Sequence, residues 1–386
     1  MAIFGYSFSK TTPQNSITMP TGESILETVN LRSIELPKVV ETRANDWVLL
    51  GQNNQFPLDL LEYKQHSAIH SAIIDSKSKL ISGNGFIFAD TREASNAWLI
   101  ENFRSIPFWR KLDEVFYLVA RDQQTFGYSC FEVRYNADRN KIVDINWVDA
   151  SRIACGKKED GEEIDDYYYS NNWANIRNNP PKKIESFDGH GEEFRQLVFI
   201  KYPENNMNYY ALPTYYSALK WIKADGQMAE YNLAALNNGF SPSIVFKFYK
   251  KPTPQERQMN SEAIKAQHGG PKNAGKAIIL YSDGKDLAPD VDTLDATNID
   301  QRLLQLSDQI TQQIISAHKA HPGLLGIQVP GKLGYSNELL QSWSIFDKMV
   351  ITPERKLLLD HFNAVFLFNG ITNARIEPLI PIDLNA

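Results

Sequence analysis

Residues 298–319 read NIDQRLLQLSDQITQQIISAHK, the most regular segment of this chain of 386 residues. Ile299, Leu303, Leu306, Ile310, Ile314 and Ala317 recur at spacings of four, three, four, four and three, the period of one face of an α-helix. The opposite face carries Gln301, Gln305, Asp308 and Gln312. An earlier helix opens near Pro213 and runs over 213–237, where Asn238-Gly239 ends it. The segment 238–297 between them holds a strand at 244–250, a second at 276–281 and the tetrad Thr253-Pro254-Gln255-Glu256. That tetrad has the form of a capping box with proline at the first helical position, and the short helix it starts closes at Gly269-Gly270-Pro271. After 319 comes a loop with Gly323, Gly326, Gly331 and Gly334, then a long helix over 337–368. Pro353 interrupts that helix, because proline removes a backbone donor and clashes with the preceding turn.

Upstream the pattern differs. Residues 1–45 are polar, carry Pro13, Pro20 and Pro37, and read as an extended arm. A helix over 65–82 places Ile69, Ile73, Leu80 and Ile81 at helical spacing and stops at Gly83-Asn84-Gly85. A second, over 107–125, carries Leu112, Val115, Phe116 and Val119 on one face. The period then falls to 2. Strands are expected at 128–135, 141–147, 166–170 and 196–202. Their short connections favour an antiparallel meander. The fold class is α+β.

Composition narrows the function. With 42% hydrophobic residues the chain can bury a sizeable core, and its length suggests two or three domains. A net charge of -6 argues against a protein that coats nucleic acid, because such binding comes from Lys and Arg neutralising phosphates. It is compatible with a protein that DNA slides through. Cys130 and Cys155 are the only cysteines and read as two reduced, buried thiols. Neither a signal-peptide core near the N-terminus nor an apolar run of membrane-spanning length is present. Folding in a bacterial cytoplasm is the expectation.

The order of the second-half segments resembles the portal proteins of tailed bacteriophages. Leu212-Pro213-Thr214-Tyr215-Tyr216-Ser217-Ala218-Leu219, followed after the helix by Asn237-Asn238-Gly239-Phe240-Ser241-Pro242, is similar to one portal passage. Gly270-Pro271-Lys272-Asn273-Ala274-Gly275-Lys276 before an apolar strand is similar to a second. Ser316-Ala317-His318-Lys319-Ala320-His321-Pro322-Gly323-Leu324-Leu325-Gly326 is similar to a third, and Met349-Val350-Ile351-Thr352-Pro353 fits the proline interruption of their last long helix. Ile81-Ser82-Gly83-Asn84-Gly85-Phe86 and Gly127-Tyr128-Ser129-Cys130-Phe131-Glu132-Val133 are weaker echoes upstream. Together they span roughly four-fifths of the chain and leave the arm outside.

The resemblance implies a dodecameric ring at one capsid vertex of the virion. Double-stranded DNA passes through it without regard to sequence, and the terminase large subunit, a head–tail adaptor and the major capsid protein are its partners, with no membrane and no cofactor. It divides the chain into an arm (1–45), an α+β wing (46–212), a stem helix (213–237), a clip (238–297), a second stem helix (298–321), a tunnel loop (322–336), a kinked wing helix (337–368) and a C-terminal segment (369–386). That last segment has Pro378, Pro381 and no helical period, so the helical crown common in the family is minimal or absent here, or the chain is incomplete. By the same analogy Gln301, Gln305, Asp308 and Gln312 line the channel, Gln328, Lys332 and Tyr335 reach toward DNA from the tunnel loop, and Thr253, Glu256, Lys272 and Asn273 belong to the docking clip.

Other chemistry is weighed on the residues. Gly326-Ile327-Gln328-Val329-Pro330-Gly331-Lys332 matches the phosphate-loop pattern, and a nucleotide-hydrolysing protein is the alternative it raises. A phosphate loop needs a strand before it and Ser or Thr after the lysine; here a helix precedes and Leu333 follows. In a ring, one Lys332 per subunit would form a belt of weak, salt-screened charge. A solvated surface loop is the plain alternative. His318 and His321 have metal-compatible spacing without a third ligand nearby, and a helix C-terminus accounts for an imidazole there. The acids between Lys158 and Asp166 lack the alternation of a calcium loop. No nucleophile–base pair stands out, so no catalytic residue is assigned. A head or baseplate structural protein without a DNA channel remains the third reading.

Overall fold

The computed structural model describes residues 37–88, 106–158, 163–189, 193–237, 245–248, 278–281, 296–320 and 336–379, with some positions between 253 and 262. The arm up to Leu36 lies outside the described residues.

The body is built on a mixed sheet of eight strands. In chain order these are β1 (Val39–Glu41), β2 (Trp47–Leu50), β4 (Tyr128–Tyr135), β5 (Ile142–Trp147), β6 (Ile153–Gly156), β7 (Asp166–Tyr169), β8 (Lys182–Ser186) and β9 (Arg195–Lys201). A short strand β3 (Phe86–Phe88) pairs elsewhere. The spatial order is β1-β2-β6-β7-β8-β9-β4-β5. This is not a simple meander. β4 and β5 make a hairpin at one edge, the chain then crosses to β6 beside β2, and β8 and β9 run parallel. Connection length alone did not reveal the crossing, because the segment that joins β5 to β6 is short and holds a 3-10 turn at Ala150–Arg152.

Among the described residues there are seven α-helices: α1 (Gln55–His66), α2 (Ala68–Ser82), α3 (Ile106–Phe126), α4 (Leu219–Asn237), α5 (Ala296–Ala317), α6 (Ser336–Phe346) and α7 (Thr352–Phe368). The periodic stretch expected at 65–82 begins at Ser67. Its hydroxyl accepts a hydrogen bond from the His70 amide and caps α2, while α1 is a separate helix before it. α4 starts later than Pro213 suggests, behind a 3-10 turn at Tyr216–Ala218. Three more strands complete the list: the parallel pair β10 (Val245–Phe248) and β11 (Ile278–Tyr281), and β12 (Ala374–Ile376), antiparallel to β3.

The core lies where α3 and α7 cover one face of the sheet. Leu112, Val115, Phe116 and Val119 of α3 are all buried, as are Leu358, Phe362, Val365 and Phe366 of α7. The strands answer with Phe131, Val133, Val198 and Ile200. Phe362 stacks on Phe131 with ring centroids 4.2 Å apart and meets Phe116 at 5.1 Å. Each such side chain contributes about 1.5–3 kcal/mol by leaving water. On the opposite face Tyr128, Phe199 and Tyr167 stack in a row. Tyr210 closes over them, its hydroxyl donating to the Val48 carbonyl at 2.6 Å. Cys130 and Cys155 are buried there as free thiols.

Candidate functional site

α4 and α5 pack on each other and run antiparallel. Their near ends join the body: Leu219 and Ile222 of α4 and Ile310, Ile314 and Ile315 of α5 are buried. Their far ends are not covered. Tyr231 and Leu233 of α4 are exposed, as are Leu304 (68%) and Leu306 (39%) of α5. The repeat that predicts one apolar stripe on α5 therefore splits in two, with Ile310 and Ile314 covered and Leu306 open. Gln305, Asp308 and Gln312 are exposed on the same helix; Gln301 falls in α5, but its side chain lies outside the described residues.

Thr253 and Glu256 form a reciprocal capping box. The Thr253 amide donates to the Glu256 carboxylate at 2.8 Å, and the Glu256 amide donates to the Thr253 hydroxyl at 3.3 Å. Lys272, Asn273, Gln328, Lys332 and Tyr335 lie outside the described residues, as does His321.

The body end of α5 is the most unusual place in the described structure. The helix closes with Lys319 in the left-handed region, φ 54°, and the Ala320 amide returns to the Ile315 carbonyl. This turn buries His318 against α2. The His318 Nε2 lies 2.8 Å from His70 Nδ1, so one imidazole donates and the other accepts. Tyr215 stacks on His318 and meets His70 edge-on. The other ring nitrogen of His70, Nε2, is buried without a partner. Burial, then the Lys64 charge, drives the His70 pKa down to about 3, and burial likewise lowers that of His318. Both rings are neutral at pH 7.

Two turns along α2 from His70, Lys77 is 2% exposed. Burial lowers its pKa, and the Glu354 carboxylate opposes that shift. Glu354, in the first turn of α7, has its own pKa raised by burial. It accepts hydrogen bonds from Gln124 at 3.0 Å and from the Tyr202 hydroxyl. Between α6 and α7 the backbone makes a π-helical turn at Asp347–Ile351, so the break expected at Pro353 comes one turn early and the proline sits at the start of α7. Arg355 fastens the turn to α2 by donating to the carbonyls of Leu80 and Ile81 at 2.7 and 3.0 Å. The sequence reading singled out His318 but not His70, Lys77 or Glu354. Lys77 was findable: it interrupts the buried stripe of His70, Ile73, Ile74 and Ile81 with a charge.

Among the described residues no three His, Cys, Asp or Glu side chains gather as a metal site, and no helix is long and apolar enough to cross a membrane.

The described residues thus form a mixed α+β body with a pair of packed helices on which Tyr231, Leu233, Leu304 and Leu306 are exposed. No protein-family model matches the sequence, and no curated protein matches it. Among solved structures the chain is similar to one in the neck of an empty gene transfer agent particle computed with C6 symmetry, with 13% identity, a TM-score of 0.57 and 85% of each chain covered. It is similar to one in the neck of a native particle computed with C12 symmetry, at 13% identity and a TM-score of 0.50 over 84% of each chain. An HK97-family phage portal protein from Corynebacterium diphtheriae is similar over 78% of this chain and 87% of its own, with 7% identity and a TM-score of 0.44. At these identities the neck chains establish a shared fold and the third is too distant to add to it.

Proposed function

We propose that the protein is the subunit of a portal ring, a structural, non-enzymatic component of a phage-like particle through which double-stranded DNA enters and leaves. The observation that carries this reading is the helix pair: Tyr231, Leu233, Leu304 and Leu306 stay exposed in the single chain. Apolar side chains left exposed on two long helices are a surface that repeated copies can cover when they close around an axis. The neck chains that share the fold come from assemblies described with sixfold and twelvefold symmetry, which supports a ring, most simply a dodecamer. The ordered motifs from Leu212 to Pro353 support the portal assignment independently.

In this reading 213–237 and 298–321 are the stem, 238–297 the clip that meets the terminase large subunit and the head–tail adaptor, and 46–212 with 337–368 the wing against the major capsid protein. Gln301, Gln305, Asp308 and Gln312 face the channel, where neutral and acidic groups give phosphates little to hold. Lys332, with Gln328 and Tyr335, supplies weak contacts from 322–336. Gln305→Arg with Gln312→Arg tests the channel role. Each arginine adds a full ring of cations, so DNA packaged per particle is expected to fall severalfold. Packaging at the wild-type level by correctly assembled rings contradicts the assignment.

A further inference from the structure

We propose that the hollow beside Lys77 is a binding site for a phosphate-class oxyanion. Lys77 is a charged side chain on the buried face of α2, yet no described residue is within hydrogen-bond or ion-pair reach of its ammonium. It lines a cavity of about 270 Å³. An ammonium that no described residue accepts from has to be solvated through that cavity, and a core position that needed only packing would take a methionine or leucine.

The rest of the lining fits an anion. Lys319, in the closing turn of α5, brings a second lysine to the cavity and Thr214 brings a hydroxyl, while the Tyr202 hydroxyl is already donated to Glu354. Glu354 is the single carboxylate in that lining, and its Oε2 already accepts from Gln124 and Tyr202. Two cations therefore face one carboxylate whose pKa burial has raised toward the neutral form. A cation would meet repulsion from both lysines, and an apolar ligand would strand them. Donors from α2, from the end of α5 and from the segment around Thr214 approach from different sides, as a tetrahedral oxyanion accepts them. The volume leaves room for its hydration. Once bound, the anion joins α2, the turn that closes α5 and the first turn of α7.

The phosphate has two possible sources, free inorganic phosphate and the backbone of DNA, and the test separates them. The full-length protein is unfolded thermally in inorganic phosphate up to about 10 mM, with ionic strength held by sodium chloride, and binding is followed by calorimetry. A phosphate-specific rise in Tm is expected. Lys77→Met, which keeps the apolar stem, should weaken phosphate binding by about tenfold or more, and Lys319→Ala by severalfold while leaving the fold intact. A short duplex is titrated in parallel. Lys77-dependent stabilisation by the duplex identifies the DNA backbone as the source, and stabilisation by phosphate alone identifies the free ion. Wild-type protein with no response to either, or Lys77→Met and Lys319→Ala binding as tightly as wild type, overturns the site.

Discussion

His70 and His318 lie 248 residues apart in sequence and touch at 2.8 Å in the core. The burial of both rings gives the fold a pH dependence. An imidazole whose folded pKa is about 3 and whose unfolded pKa is 6.5 binds a proton far more readily once unfolded. Its contribution to stability is complete above pH 6.5 and is lost as pH falls toward 3. The lowered pKa of His318 acts in the same direction. Stability should therefore fall as pH drops from 6.5 towards 3. Urea midpoints across this range should drop steeply for wild type and more shallowly for the double variant His70→Gln, His318→Gln. Equal slopes would show that the pair is not held neutral. The sequence marked His318 as a residue at a helix end, which it is, but helix-end chemistry said nothing of the ring it meets. A contact between α2 and α5 depends on how the two helices cross, and no local pattern encodes that.

At the level of elements, boundaries set by backbone chemistry were legible and those set by tertiary packing were not. Gly127 ends α3 at φ 83°, where a side chain is strained, and a Cβ there would lie 2.4 Å from the Leu212 carbonyl oxygen. Gly127→Ala should lower stability by about 2–3 kcal/mol, read as a fall in the urea midpoint. A change within error would mean the loop at Leu212 moves aside. The Thr253 box was readable because its hydrogen bonds are local. The π-helical turn before Pro353 was not, because Arg355 holds it through carbonyls of α2. α5 shows both sides of the rule. Its period announced a helix, yet Leu306 is open while Ile310 is buried: among the described residues, the buried side chains of this helix lie towards its body end. Leu304→Glu with Leu306→Glu should accordingly leave the Tm of the isolated subunit within a few degrees and abolish its assembly. Retained assembly would place the contacts between copies elsewhere.

For the whole molecule, the α+β class, most of the long helices and four of the eight sheet strands were legible from period and punctuation; β1, β2, β6, β8 and the strand order were not. The crossing from β5 to β6 and the parallel pair β8–β9 are decided by which faces α3 and α7 cover, a choice made between segments far apart in the chain. Function followed the same division. Ordered short motifs suggested a portal subunit, whereas the uncovered helix ends and the lysine cavity needed coordinates. Both bear on one claim, that copies of this chain close around an axis. Electron microscopy of the purified protein tests it most directly. The account predicts closed rings, most simply of twelve subunits, with a central opening wide enough for a DNA duplex. Particles that remain single subunits across salt and protein concentration, or compact oligomers without an opening, would contradict it.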